Sequence, residues 1–353
     1  MRRVLLEVHR VARDFYRDQL LDAPEGWAAE HLRGRGLGAV LDDSAWGIGY
    51  APDAWTGLTD HLRGLGFGDD ELIAAGVAAP TMNGYLVDRF RDRVMFTAEN
   101  ADMEAVGFVG RARGGRVRYL NSPATELYSK SETVVGLSAQ CGKLLQGAIP
   151  VVVEGVPDAL AVDQVGRQWA GISTCGTAIT RQHAAMIRQV SPANQIVVAF
   201  DADPGGRLGA VRGLDVLMEA FGSVRVAELP PRHDPASLFR QSRSGLNERL
   251  ASARLLAEFA IDVELAKWGP VLDHVSGQVN ALRAVAPLVR QLPSGRVAQQ
   301  IAGLAKRLDL EPAVVSREVL TPVVRRGTKS RSSRRPQYFE PSAAADPEPD
   351  RTP

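Results

Sequence analysis

Val151-Val152-Val153-Glu154-Gly155-Val156-Pro157-Asp158 and Ile196-Val197-Val198-Ala199-Phe200-Asp201-Ala202-Asp203 decide the fold. Each opens as an apolar run rich in β-branched residues and ends in acids, Gly or Pro. Such a run predicts a strand buried on both faces that stops at a polar edge. Between the two, residues 157–166 have helical spacing, 170–173 read as a short strand, and 180–190 as a second helix. Beyond them, 205–221 read as a third helix and 224–228 as a last strand. Alternating strand and helix predicts a parallel sheet wound with right-handed crossovers.

Ligands of such sheets gather beyond the carboxyl ends of the strands. Glu154, Asp201 and Asp203 fall there. Residues two apart on extended chain point the same way, so Asp201 and Asp203 can share one target. A single acid at a strand end needs no function, because loops are polar. Three brought together repel one another unless a cation lies among them. Oxygen-only ligands suit Mg²⁺ or Mn²⁺, and Mg²⁺ keeps waters and phosphate oxygens in its shell. The pattern therefore predicts a divalent-metal site for a phosphorylated substrate.

The whole chain has 353 residues, room for two or three domains with cores of their own. A hydrophobic content of 45% with 24% charged residues is ordinary for a soluble protein. No apolar run is long enough to cross a bilayer, and the charged N-terminal stretch does not read as a signal peptide. A cytoplasmic protein is expected. The net charge of +1 says nothing of nucleic acid, so any basic surface is local. Cys141 and Cys175 lack the paired spacing of a zinc site and read as core-filling thiols in a reducing compartment, so no zinc is expected.

Upstream, 4–21 and 27–32 have helical spacing, and 55–65 and 69–75 read as short helices. Trp46, Tyr50 and Trp55 could stack on bases, but are expected in the core. Residues 88–96 alternate charge with apolar side chains and predict a half-exposed strand; 107–111 predict another. Arg111, Arg113, Arg116 and Arg118 follow with no acid among them, which by itself reads as a solvated face. Residues 246–320 read as all helix. From Thr321 onward, a basic run (Arg325, Arg326, Lys329, Arg331, Arg334, Arg335) and an acidic Pro/Ala-rich tail are expected to be disordered and to hold nucleic acid loosely.

Glu-Gly-x-x-Asp after one strand and Asp-x-Asp after the other, with Gly176-Thr177-Ala178-Ile179-Thr180 between them, resemble a TOPRIM domain, the metal fold of topoisomerases and primases. The flanks narrow the resemblance to the RNA polymerase domain of bacterial DnaG-type DNA primases. They are Arg35-Gly36-Leu37, Ile48-Gly49-Tyr50-Ala51-Pro52, Arg89-Phe90-Arg91-Asp92-Arg93-Val94-Met95-Phe96, Tyr119-Leu120-Asn121-Ser122-Pro123 and the downstream Lys130. The resemblance runs from about residue 4 to 320. It implies an α/β fold: a TOPRIM, Rossmann-like parallel sheet core with an N-terminal α+β subdomain and a C-terminal helical bundle. We divide the chain into 1–148, 149–240, 241–320 and a tail, 321–353.

The resemblance further implies primer synthesis. Glu154, Asp201 and Asp203 would be catalytic and hold metal, with Asp158 and Asp234 in support. Arg89, Arg91, Arg93, Arg118, Tyr119, Asn121 and Lys130 would bind single-stranded template and ribonucleoside triphosphates. The sequence departs from the pattern in two places. Arg118 stands where Lys is usual, and Ala236 stands where Asp-Pro-Asp would supply a second acid, which weakens the expected second metal site. Neither the family's zinc-ribbon module nor its helicase-binding domain is recognisable, so a replicative helicase is a partner by resemblance only. Two rival readings use the same residues: a TOPRIM nuclease, and a non-catalytic protein binding single-stranded DNA or nucleotides.

Overall fold

The computed structural model describes residues 1–42, 45–176 and 178–321. Thr177 and the basic and acidic tail lie outside the described residues. Strands follow in chain order: β1 (Gly49–Ala51), β2 (Ala78–Pro80), β3 (Leu86–Asp88), β4 (Arg93–Glu99), β5 (Ala105–Ala112), β6 (Tyr119–Asn121), β7 (Ile149–Val153), β8 (Trp169–Ser173), β9 (Gln195–Val198), β10 (Ser223–Val226) and β11 (Arg254–Leu255).

β7 to β11 form a five-stranded sheet in the order β11-β10-β9-β7-β8. β7, β8, β9 and β10 are parallel, as the strand–helix alternation requires. The apolar runs are buried on both faces because side chains alternate along a strand. Val151, Val153 and Val197 enter one core, with the helix Val156–Val165; Val152 and Val198 enter another, with the helix Arg181–Val190 and the C-terminal helices.

Three expectations need correction here. The sheet is not wholly parallel: β11 pairs antiparallel with β10, inside a stretch expected to be all helix. Arg225 Nη1 donates to the Ala253 carbonyl at 2.7 Å, and Arg254 is held to Asp262 at 2.6 Å, which keeps this segment extended before the helix Leu256–Trp268. The single helix expected over 205–221 is two, Pro204–Arg212 and Leu214–Ala220. They meet at Gly213, where a Cβ would lie 2.9 Å from Ile179 Cδ1. The half-exposed strand expected over 88–96 is two strands, β3 and β4, separated at residues 89–92, where Asp92 has φ 47°. β4 is buried from Val94 to Glu99, because both faces of its sheet are covered.

That second sheet is antiparallel, β1-β4-β5-β6, and packs on the helix Arg2–Leu21. β2 and β3 make a separate hairpin. The aromatic expectation divides. Trp46 is buried and Tyr50 partly so, its hydroxyl donating to Asp92 at 3.0 Å, but Trp55 is 66% exposed. One core includes Trp46, Ile48 and Phe96 together with Val151, Leu160 and Ala236, so it runs under both sheets. Val134 and Val135 also join them: Val134 bridges to Glu99 of β4, and Val135 to Ser173 of β8. No helix among the described residues is long and apolar enough to cross a membrane.

Candidate active site

β7 and β9 are neighbours in register, Val151 opposite Val197 and Val152 opposite Val198. Their carboxyl ends therefore lie side by side, and Glu154 and Asp201 leave the sheet together. Glu154 Oε1 accepts from the Asp201 backbone N–H at 3.3 Å. The chain of the helix Pro204–Arg212 passes so close that a Cβ on Gly206 would lie 2.8 Å from Glu154 Oε1 and 2.3 Å from the Asp201 carbonyl oxygen. Asp203 caps that helix, its Oδ1 accepting from Gly206 N–H at 2.7 Å. Asp234 caps the helix Pro235–Gln241 in the same way, accepting from Ser237 N–H at 2.6 Å.

The carboxylates feel one another. Burial first, then the charges of Glu154, Asp234 and Asp203, push Asp201 up to about 7. Burial and Asp203 raise Glu154, against the hydrogen bond from Asp201. Asp158 is raised well above the usual carboxylate range by burial, then by Asp234 and Asp201; the N–H of Ala236 and the charge of Arg35 oppose this. Repulsion among half-buried acids is what a cation relieves. Among the described residues no group of three His, Cys, Asp or Glu side chains is preassembled around one point. The donor set nonetheless fits a hard cation that retains water, since every donor is oxygen and the acids border an open cavity.

That cavity, about 380 Å³, is lined on one wall by Glu154, Asp158, Asp201 and Asp234, and on the other by Arg35, Arg111, Arg118, Tyr119 and Asn121. Asp203, which is exposed, does not line this cavity. Arg35 and Arg111 were not among the assigned residues. Each lay in a stretch singled out above, the Arg-Gly-Leu segment and the acid-free arginine run, but one-dimensional order did not show them converging. On the cationic wall Arg111 Nε and Asn121 Oδ1 are buried without a hydrogen-bond partner, as are Arg89 Nε and His31 Nε2 close by. His31, beneath Arg111 and Arg35, is held down to about 4 by burial and by those two charges.

The other basic residues are dispersed. Arg89 Nη2 donates to the Asn121 carbonyl at 3.4 Å, beside the cavity. Arg93 is occupied within its own sheet, Nη1 donating to the carbonyls of Gly110 and Val117 at 3.3 Å, so it braces β5 against the loop before β6. Arg91 lies away from the cavity, its guanidinium 4.4 Å from the centre of the Trp55 ring. Lys130 does not line the cavity but lies near Cys175, which does. Burial pushes the Cys175 thiol up to about 12.

The family DNA primase catalytic core, N-terminal domain, matches residues 15–140, and the Toprim-like family matches 151–239. The DNA primase of Deinococcus radiodurans is 34% identical over 87% of this chain and 53% of its own length. That of Streptomyces coelicolor is 32% identical over 87% and 49%. The chain thus spans about half the length of the curated relatives it matches. Among solved structures, the RNA polymerase domain of Mycobacterium tuberculosis primase DnaG in complex with double-stranded DNA superposes with a TM-score of 0.71 at 30% identity, over 88% of this chain and 99% of that one. A DnaG primase catalytic domain bound to single-stranded DNA gives 0.70 at 26%, over 87% and 98%. On these matches the chain belongs to the bacterial DNA primase family and corresponds to its catalytic core.

Proposed function

We propose that this chain joins ribonucleotides on a single-stranded DNA template, making short RNA primers for replication. The observation that carries this reading is the facing of acidic and cationic walls across one cavity. Glu154, Asp201 and Asp203 are the residues that would hold Mg²⁺ or Mn²⁺, with Asp158 and Asp234, which line the cavity, in support. Bound there, a divalent cation would activate the attacking 3′-hydroxyl and neutralise charge on the departing pyrophosphate.

The cationic wall supplies binding. Arg35, Arg111 and Arg118 present planar donor forks that match phosphate oxygens. Such contacts hold a triphosphate or template backbone without reading sequence. Asn121 and Tyr119 add polar groups to the same wall. Trp55, exposed and covered on one face by Arg91, offers a stacking surface for template bases.

The test is incorporation of labelled ribonucleotides on single-stranded DNA with Mg²⁺ or Mn²⁺. Short RNA products are expected from the wild type and none from the Asp201→Ala, Asp203→Ala double variant. Undiminished synthesis by that variant would remove the assignment. Shortened template without RNA product would favour a nuclease.

A further inference from the structure

The β2–β3 hairpin carries a feature that the site above does not use. Its tip, Thr81-Met82-Asn83-Gly84-Tyr85, exposes Met82 completely and Tyr85 to 74%. The tip is tight: Thr81 N–H donates to the Tyr85 carbonyl at 2.8 Å, and Gly84 has φ +80°. Exposed large apolar side chains on an ordered loop mark an interaction site when they cluster.

The strand leading from the tip gives that site a direction. Burial alternates along it: Leu86, Asp88 and Phe90 point inward, while Val87 and Arg89 are only partly buried. Val87 therefore faces outward in line with the exposed Tyr85, and Arg89, partly buried with its Nε enclosed, follows just past the strand. Arg89, at one end of this line, touches Asn121 of the cavity wall. Tyr85, at the other, lies about 13 Å away at about 3.3 Å per residue. The neighbour of Val87 across the hairpin is Ala79, which leaves the outward lane shallow. The Asp88 N–H donates to the Trp55 carbonyl at 2.7 Å, so the hairpin is fastened beside Trp55 and Arg91.

Charge selects the occupant. The one acid of the hairpin, Asp88, is turned inward and fully engaged, accepting from Leu58 N–H, Thr59 N–H and the Thr59 hydroxyl. The outward lane is thus aromatic and cationic without a carboxylate. Bases stack on aromatic rings regardless of sequence, and flanking cations hold the backbone.

Resting on the function proposed above, we infer that the hairpin tip is a second template contact. Tyr85, with Met82 beside it, stacks on a base of the single strand after that strand has left the catalytic cavity past Arg89.

The experiment measures fluorescence anisotropy of fluorescein-labelled oligothymidylates with the full chain. One probe is short enough to fill the cavity alone, and one is about 16 nucleotides long, within the range single-strand binding folds cover. Tyr85→Ala is expected to weaken the long probe by about 5- to 160-fold, the usual range for one lost base–aromatic stack. It should leave the short probe unchanged, and Tyr85→Phe should retain wild-type affinity for both. Equal affinity of Tyr85→Ala and wild type for the long probe overturns the inference, as does a Phe variant as weak as the Ala variant. Sedimentation of the same proteins tests a second copy as occupant: a dimer lost in Tyr85→Ala with DNA affinity intact would replace the template by self-association. Primer synthesis is assayed in parallel. Synthesis without a length-dependent Tyr85 effect sinks the hairpin contact alone. A Tyr85 effect without synthesis sinks the polymerase reading and leaves the contact standing.

Discussion

The backbone N–H of Ala236 donates to Asp158 Oδ1 at 3.0 Å, so the residue that replaces an expected acid serves the site through its amide. Its methyl group is buried in the same core as Val156 and Ala159. Asp158→Asn keeps an acceptor for this amide and should change stability by less than about 1 kcal/mol. Asp158→Ala orphans a buried donor and should cost about 1–3 kcal/mol. Ala236→Asp inserts a second buried carboxylate beside Asp158 and should destabilise the metal-free protein by a similar amount. Urea denaturation in EDTA measures all three.

If the proposed site holds metal, the mutual repulsion of Glu154, Asp201 and Asp203 makes that metal a stabiliser. Without divalent cations, Asp201→Asn should be as stable as wild type or more so. Adding Mn²⁺ should raise the wild-type melting temperature, by an amount equivalent to about 2.7 kcal/mol at a hundredfold excess over Kd. The variant should gain much less. A thermal scan with and without Mn²⁺ decides; equal gains would place the metal elsewhere.

Gly205 and Gly206 are adjacent, yet should respond differently. A Cβ on Gly206 would strike the Asp201 carbonyl and Glu154, whereas on Gly205 it would meet only the Asp203 side chain, at 3.2 Å. Gly206→Ala is expected to cost about 1–3 kcal/mol through forced backbone shifts and to abolish metal-dependent primer synthesis. Gly205→Ala should retain both stability and synthesis. Paired melting curves and primer assays make the comparison.

His31 predicts a pH dependence. Its folded-state pKa is depressed, from 6.5 to about 4, so the unfolded chain binds the proton first as pH falls. Stability should therefore decline as pH drops from about 6.5 to 4 and level off below. Since water partly screens the ring, the loss expected is about 1–2 kcal/mol. His31→Gln should flatten that part of the profile, as read by urea midpoints across pH.

The acidic half of the site was legible because it lies where chain order and space agree. Glu154 and Asp201 follow continuous apolar runs, and such runs become neighbouring parallel strands. Asp203 was legible as the start of a helix as well as a carboxylate, because Asp followed by Pro is an ordinary helix opening. The cationic wall was harder. Arg35 and Arg111 are 76 positions apart, and only the antiparallel sheet packed against the helix Trp27–Gly34 brings them to one surface. Trp55 was misjudged because large aromatics are usually buried, and nothing local marks one that Arg91 covers from outside. β11 escaped notice because two residues cannot display a period.

The junction at Val134 and Val135 ties the two sides of the cleft together. Because the chain between the two sheets is itself stitched to β4 on one side and β8 on the other, the spacing of the opposing walls is inherited from the backbone, not created by the substrate. Under the primer synthesis proposed above, advance along a template would then fall to sliding of the nucleic acid rather than to a change in the gap between the two sheets.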